Sequence, residues 1–172
     1  MLRQALVVFL AMFAFACAGR TGSAPKNPDG SRVAIMLFTD RGIPPDAAPD
    51  RVAQINQVAD WMENDLLAIL EKTGYAPTRV ADANTPAGPG RYVLRVTIRN
   101  YNAGSKAARI LVGYGAGGVV LDTHFELVGE APGPLVIGDP SVGSGRDWTN
   151  AARKVNLQTV DAVNARLSQH GG

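Results

Sequence analysis

Polar and apolar positions alternate along two stretches in the middle of the chain, at residues 91–100 and 119–128. In each stretch one face is mainly apolar and the other is mainly polar or charged, which is the period of two expected of a half-buried strand. The residues that share the apolar faces are Tyr92, Leu94, Val96 and Ile98 in the first stretch and Val119, Leu121, Thr123, Phe125 and Leu127 in the second. The first outer face carries two arginines and the second two carboxylates, and opposed charges stabilise an antiparallel pair by about 0.2–1 kcal/mol each. The pattern therefore predicts a hairpin at the centre of a small α+β domain.

The segment that joins these strands is apolar and rich in glycine. Over residues 107–121 its only charge before the second strand is Arg109. Small apolar side chains are unusual in a solvated loop, where polar turn residues are expected. Two interpretations follow: the segment packs beneath the protein's own helices, with glycine allowing close approach of backbones, or it contacts another subunit or a membrane surface.

The first third of the chain predicts one strand and one long helix. Residues 33–38 are six consecutive apolar residues, which indicates a central strand covered on both faces. The helix that follows is predicted to begin at Asp50 as N-cap and to end at Gly74, a residue expected in a left-handed conformation. Trp61 lies beside the apolar stripe and is interpreted as a packing residue. The stripe consists of Val52, Ile55, Ala59, Met62, Leu66, Ile69 and Leu70, and the polar face carries Asp60, Glu63, Glu71 and Lys72.

The remaining elements complete a two-layer arrangement. Short strands are predicted at residues 77–80 and 134–139, and glycines on both sides of Ser144 predict a turn. A last helix spans residues 148–168, with Asp147 or Thr149 as its N-cap. Its apolar face consists of Trp148, Ala152, Val155, Thr159, Val163 and Leu167. The order of elements predicts an α+β fold, a two-layer sandwich of a mainly antiparallel sheet and two amphipathic helices.

The N-terminal stretch has the pattern of an export signal. After Arg3, an uncharged apolar run extends over residues 5–16, which is too short to cross a bilayer as a helix and suits the h-region of a signal peptide. Cys17, the sole cysteine, follows directly, and it rules out an internal disulfide. We therefore expect a signal peptide at 1–16, a flexible tether at 17–31, one domain at 32–168 and a tail at 169–172.

The leader resembles that of bacterial lipoproteins, in which small residues precede a cysteine that becomes lipidated. The residues in this chain are Ala14, Phe15, Ala16 and Cys17, without the usual Leu at the first position. The resemblance implies palmitate or related acyl chains on Cys17, and Ala18 in place of Asp implies the outer membrane. Ala14 to Ala16 also fits ordinary signal cleavage, so release as a soluble periplasmic protein is the alternative.

Composition and motifs argue against several classes of chemistry. The net charge is +2 and basic residues are spread along the chain, so no nucleic-acid partner is predicted. Only His124 and His170 are available as imidazole ligands, which argues against a transition-metal site. Ser141 and Ser144 lack the G-x-S-x-G pattern of a hydrolase elbow. The glycines at 113–118 precede a strand and not a helix, so no nucleotide, and no other cofactor, is predicted.

The segment ARILVGYGAG and the strand after it resemble a family of bacterial lipoproteins that contain domain of unknown function 4410. The residues that carry the resemblance are Arg109, Gly113, Tyr114, Gly115, Ala116, Gly117 and Asp122. The resemblance extends over about residues 32–167. It implies a cell-envelope location and carries over no catalytic residues.

Two hypotheses of function follow. The first is a non-enzymatic outer-membrane lipoprotein that binds another envelope protein or itself. Its interaction residues would be Arg109, Gly113, Tyr114, Gly115 and Gly117. The second is a periplasmic small-ligand carrier or enzyme. Its site would lie among Arg95, Arg99, Asp122, His124 and Glu126. We favour the first, since the sequence contains no acid/base or nucleophile pair with supporting spacing.

Overall fold

The computed structural model describes residues 22–104, 118–145 and 147–169, which contain six strands and two helices. In chain order these elements are β1 (Ala34–Asp40), α1 (Pro49–Thr73), β2 (Ala76–Arg79), β3 (Arg91–Asn102), β4 (Val119–Val128), β5 (Pro134–Gly138), β6 (Ser141–Ser144) and α2 (Trp148–Ser168).

The strands form one sheet in the order β2-β1-β3-β4-β5, and β6 also pairs with β4. The strand β1 is parallel to both of its neighbours, β2 and β3. The strand β4 is antiparallel to β3, β5 and β6. The predicted antiparallel pairing of the two central strands is therefore confirmed, and so is the two-layer α+β fold class.

Both helices lie on one face of the sheet and run in the same direction. The rings of Trp61 and Trp148 make an edge-to-face contact, with centroids 5.7 Å apart and planes at 82°. Further along both helices, Arg153 lies 3.0 Å from Asp65. Trp61 is therefore a packing residue at the edge of the helix pair, as predicted.

The core lies between the helices and the face of the sheet that we call the inner face. Alternation is strict along β4, where Val119, Leu121, Thr123, Phe125 and Leu127 are buried. Apolar side chains of α1 and α2 meet them in two clusters. One contains Ile35, Leu37, Leu66, Leu70, Leu94, Phe125, Leu127, Val160 and Val163, and the other contains Ile55, Met62, Ile98, Tyr101, Leu121, Ala152 and Val155.

The first strand differs from its prediction on one face. Ile35 and Leu37 are fully buried on the inner face, whereas Met36 and Phe38 are only half-buried on the opposite face. The apolar run predicted a central strand covered on both faces; β1 does lie between β2 and β3, but its second face is covered only in part. Helices cover only one side of this sheet, so the second face of β1 keeps partial exposure.

The ends of the helices combine predicted and unpredicted devices. Gly74 ends α1 with φ of 114°, in the left-handed region that was predicted. Asp50 was predicted as the N-cap of α1, but the N-cap is Ala48. Pro49 lies in the first turn, where the backbone N–H that proline lacks would have no partner within the helix. Asp50 lies in the same turn, near the positive end of the helix dipole. In α2, Asp147 is the N-cap and accepts a hydrogen bond from the backbone N–H of Thr149.

Three polar positions of the helices, Glu63, Asn156 and Asn164, are buried although the pattern placed Glu63 on the polar face and omitted the other two. Glu63, predicted on the polar face of α1, is 9% exposed and lies 2.9 Å from Arg79 of β2. Asn164 of α2 accepts a hydrogen bond at 2.8 Å from the hydroxyl of Tyr75, and burial raises the pKa of Tyr75. Each of these three side chains has a partner from a distant part of the chain. The spacing of residues along a helix does not show such contacts.

The region around Ser144 is a strand and not the predicted turn. The strand β6 pairs with the first half of β4, opposite residues 119–122. Val142 is its one buried apolar residue. So short a strand with a single apolar position has no detectable alternation, which explains why the sequence pattern missed it.

Residues 22–31, predicted as part of a flexible tether, lie against the domain. The backbone N–H of Ala24 donates to the carbonyl of Thr73 at 2.9 Å. Asn164 donates through Nδ2 to the carbonyl of Gly22, also at 2.9 Å. Asp29 accepts from the backbone of Ser31 and closes a turn. Side-chain to backbone bonds of this kind order a segment whose composition alone indicates flexibility.

Candidate functional site

The face of the sheet opposite the helices, which we call the outer face, carries most of the polar residues proposed from the sequence. Strand register places Arg95 of β3 opposite Glu126 of β4, and Thr97 opposite His124. These side chains alternate with the buried ones of the same strands. Of the opposed charges predicted for the hairpin, Arg95 and Glu126 are therefore brought together, whereas Arg99 and Asp122 have other partners.

His124 is the centre of a chain of polar contacts on this face. Its Nδ1 lies 2.8 Å from Oδ1 of Asp139, and its Nε2 lies 3.3 Å from Oε1 of Glu126. Arg99 contacts the same oxygen of Asp139 at 2.7 Å, and Arg95 lies 3.9 Å from Glu126. We call these five residues the ionic ladder. It links β3 and β4 to the connection between β5 and β6, where Asp139 lies.

Asp122, in the first half of β4, belongs to a separate group of three polar residues. It accepts a hydrogen bond from Nδ2 of Asn100 at 3.0 Å and another from the hydroxyl of Ser141 at 2.5 Å. A register shift in β3 between Ile98 and Asn100 turns Asn100 towards Asp122. The structure therefore brings four of the five residues of the second hypothesis into one ladder and leaves Asp122 beside it.

The electrostatics of the ladder are those of a solvated ion-pair network. The hydrogen bond with His124 is the main reason that the pKa of Asp139 lies below its ordinary value, and Arg99 adds to the lowering. A general acid needs the opposite change, a carboxyl pKa raised towards neutrality. Arg99 and Asp139 are both more than half exposed, with side-chain values of 54% and 58%. Exposed pairs of this kind contribute about 0–1 kcal/mol.

The serine candidates do not assemble with a base. Ser141 donates its hydroxyl to Asp122, and both ring nitrogens of His124 face the carboxylates of Asp139 and Glu126. A nucleophilic serine requires an imidazole nitrogen within hydrogen-bond reach of its hydroxyl. In residues 22–104, 118–145 and 147–169, no group of three or more His, Cys, Asp or Glu is placed to hold a metal ion. His170 lies outside these ranges.

A long connection crosses the outer face next to the ladder. Since β2 and β3 lie on either side of β1 and run parallel to it, residues 80–90 must return over the sheet. Arg95 donates through Nε to the carbonyl of Ala83 at 2.9 Å, which places this connection on the outer face. Val93, on the same face between Met36 and Val128 in the register, is fully buried.

A cleft of about 520 Å³ lies between α1 and the edge strand β2. Its two arginines are already engaged. Arg32 donates to the carbonyls of Glu71 and Gly74, and Arg79 binds Glu63 and Asn64. The remaining lining residues are mostly small or apolar, so this cleft presents no set of convergent free polar groups of the kind that orients a small ligand.

The proposed interaction residues Arg109, Gly113, Tyr114, Gly115 and Gly117, together with Cys17, lie outside the described residues. The described chain reaches Gly104 after β3 and resumes at Gly118 before β4. At Gly118 an added Cβ would lie 2.9 Å from the carbonyl oxygen of Ser144. Glycine at this position therefore allows β6 to approach the start of β4.

Sequence reasoning missed Asp139 and Asn100 as members of the polar networks. Asp139 directly follows β5 and lies 15 positions after His124, and no spacing rule relates the two residues. Asn100 faces Asp122 only because of the register shift in β3. Charge alternation along β4 was the one sequence signal for the polar outer face. It identified Asp122, His124 and Glu126.

The comparisons with known proteins leave the activity of the chain open. No described helix is long and apolar enough to cross a membrane. No curated protein matches the chain. Two dodecameric PelC structures from Paraburkholderia phytofirmans are similar at 19% and 20% identity, covering 83% of this chain and 94% and 93% of theirs, with TM-scores of 0.47 and 0.45.

A protein from Helicobacter pylori, described as a homolog of neuraminyllactose-binding hemagglutinin, is similar at 13% identity. The similarity covers 92% of this chain and 91% of that one, with a TM-score of 0.32. Values this low support no statement about ligands or assembly. The family profile described as Domain of unknown function (DUF4410) matches residues 25–166, and the chain therefore belongs to that family.

Proposed function

We propose that this protein is a non-enzymatic lipoprotein of the bacterial cell envelope, anchored in the outer membrane through Cys17 and facing the periplasm. The observation that carries the proposal is the position of the only cysteine. Cys17 directly follows the uncharged apolar run at residues 5–16, and Arg3 precedes that run. A signal peptidase that acts before this cysteine leaves it as the first residue of the mature chain. More than one acyl chain on it is needed for stable anchoring.

The proposed activity is binding and not catalysis. Support comes from the outer face, where the polar side chains that could form a reactive site are bound to one another. The pKa of Asp139 is lowered, and the hydroxyl of Ser141 is donated to a carboxylate. Groups engaged in this way act as a structural network, and a small ligand would have to displace these contacts before binding there.

The anchoring part is tested by following lipid on Cys17. Metabolic labelling with palmitate is expected to mark the native protein, and Cys17→Ala is expected to remove both the label and the protein from the membrane fraction. Ser23→Ala, six positions further along and in the described part of the chain, is the matched control that should keep both. Native protein without label, or Cys17→Ala protein that stays in membranes, would show that the lipoprotein assignment is wrong.

The binding part is tested on the glycine-rich segment that joins β3 and β4. Gly115→Asp together with Gly117→Asp is expected to abolish self-association or capture of an envelope partner by the tagged protein after mild cross-linking. Ala81→Asp together with Ala131→Asp adds the same charge at two exposed loop positions and should leave capture unchanged. If the glycine variants retain every cross-linked species, the interaction assignment fails.

A further inference from the structure

The N-terminal strap, residues 22–31, is held at one end of the domain. Its first described residue, Gly22, accepts a hydrogen bond from Asn164 near the end of α2. Two residues later, Ala24 donates to Thr73 at the end of α1 and packs against the core cluster. The chain therefore leaves the domain where both helices end. We call this the anchored end.

The two ends of the domain are well separated. At the anchored end β1 and β3 begin, at Ala34 and Arg91, which are partners in the register. At the far end β3 finishes at Asn102 and β4 starts at Val119, after the glycine-rich segment. The strand β3 has twelve residues. At a rise of about 3.3 Å per residue it is about 36 Å long.

The chain between Cys17 and Gly22 is too short to bridge that length. Five peptide links separate the two residues in the sequence. Even fully extended, they span at most about 18 Å, at up to 3.6 Å per residue. A lipid on Cys17 thus holds Gly22 within about 18 Å of the bilayer, which is half the length of β3.

The charge on the anchored end suits a surface of lipid phosphates. Within the described residues, Lys26 of the strap, Lys72 in the last turn of α1 and Arg91 at the start of β3 have no carboxylate within salt-bridge distance. The acidic groups at this end include Asp29, bound in its own turn, Glu71, and Glu130 in the turn after β4. At the far end the groups are mainly acidic. They are Asp40, Asp46, Asp50 and Asp147, against Arg41, which pairs with Asp60, and Arg51.

The exposed carbonyls at the end of α1 are also neutralised. The last carbonyls of a helix carry partial negative charge, which would disfavour approach to phosphates. The guanidinium of Arg32 donates to the carbonyls of Glu71 and Gly74 at 3.1 and 3.0 Å. This cation covers the end of the helix and leaves Lys26 and Lys72 as outward charges.

From these observations, and resting on the proposed lipidation of Cys17, we propose that the anchored end docks on the lipid headgroups and that the far end points away from the membrane. The end of β3 and the start of β4 then face the periplasm. An upright arrangement with the far end on the same membrane would hold Gly22 about 36 Å from the bilayer, which is beyond the reach of its link to Cys17.

Two matched probes test this orientation. Because Cys17 is the sole cysteine and is consumed by lipid, a single new cysteine can be labelled with a fluorophore. Glu130→Cys lies in the exposed turn after β4 at the anchored end, and Asp46→Cys lies in the exposed loop before α1 at the far end. Both replace an acidic side chain that has no ion-pair partner within the described chain.

The labelled lipoproteins are inserted into vesicles of phosphatidylethanolamine and phosphatidylglycerol that contain a short-range headgroup quencher. We expect quenching at position 130 to exceed that at position 46 several-fold. Inserting a flexible link of about ten Gly and Ser residues after Gly19 should reduce this difference, since it lengthens the reach of the anchor. Equal quenching at the two positions, or stronger quenching at position 46, overturns the orientation.

Mass spectrometry of the purified protein separates this result from failure of the proposed function. Protein without acyl chains that does not enter vesicles counts against lipidation, and the orientation falls with it. Acylated, vesicle-bound protein with quenching strongest at position 46 counts against the orientation alone. Asn164→Ala, which removes the hydrogen bond to Gly22, is expected to lower the quenching difference while acylation stays complete.

Discussion

The two faces of the sheet are built from the same strands and obey different rules. On the inner face Leu94 and Leu127 are opposite each other and fully buried. One position along each strand, Arg95 and Glu126 face each other on the outer side and remain partly exposed. Apolar burial beneath two helices holds the first pair, and a screened charge interaction holds the second. Stability therefore resides in the inner face, while the outer face is free to vary in chemistry.

Part of the outer face is covered by the chain and is not exposed to solvent. The connection at residues 80–90 crosses it and the apolar Val93 beneath is fully buried. Only the part that carries the ionic ladder is solvated. Because the ladder is the solvated part of this face, changes in it are expected to have little effect on the fold.

The largest effect is expected from a cavity on the inner face. Leu127→Ala removes a fully buried side chain from β4, and Leu→Ala changes in cores destabilise by about 2–5 kcal/mol. Urea unfolding should show this loss in the free energy of unfolding. Ile137→Ala, at a residue 52% exposed on the other face, should change it by no more than about 0.5 kcal/mol. Similar losses in both variants would remove the distinction between the faces.

Overpacking on the inner face should have the next largest effect. At Gly138 an added Cβ would lie 2.3 Å from the ring of Phe125, so the ring or the strand must shift. We expect Gly138→Ala to destabilise the protein by about 1–3 kcal/mol in thermal or urea unfolding. Gly143→Ala in β6 is the control, because its nearest atom is 3.8 Å away. Adding Phe125→Leu to Gly138→Ala should recover part of the loss, and no recovery would mean that the ring is not the obstacle.

On the outer face, Arg99→Ala is expected to reduce stability by at most about 1 kcal/mol, since exposed ion pairs contribute little. The pair with Asp139 is more than half exposed on both sides. Salt screens such a pair, so the difference between wild type and variant should shrink when unfolding is measured in 1 M NaCl. A loss of several kcal/mol that is insensitive to salt would place Arg99 in the structural core of the fold.

The smallest effect concerns the pH dependence of the ladder. The pKa of Asp139 is lowered in the folded protein, mainly by its hydrogen bond with His124. The carboxylate therefore stabilises the fold above its unfolded pKa of about 4, and this contribution is lost as pH falls through the lower folded value. Asp139→Asn should flatten the dependence of unfolding free energy on pH below about 4. An equally steep acid limb in the variant would contradict this assignment.

Much of the fold follows from local patterns in the sequence. Alternation at residues 91–100 and 119–128 identified the two central strands and their inner faces, because a half-buried strand exposes every second side chain. Helical spacing and Gly74 identified α1 and its end. These features depend on neighbours in the chain, and neighbours are what a sequence displays directly.

Tertiary structure decided the features that depend on distant partners. The strand β6 forms because β4 extends past β5, and the backbone groups of residues 119–122 are left to pair with another strand. The pattern of residues 141–144 does not predict this strand. Residues 22–31 are ordered by Thr73 and Asn164, which come from the ends of the two helices. Glu63 is buried because Arg79 reaches it from β2.

The same division applies to the candidate site. Charge alternation along β4 by itself determined that an acidic and imidazole-bearing face would meet a basic one. Only the folded chain brought Asp139 to His124 and turned Asn100 towards Asp122, through a strand connection and a register shift. Spacing along a strand records which side chains share a face, whereas contacts between strands depend on register, and register is set by the packing of the whole inner face.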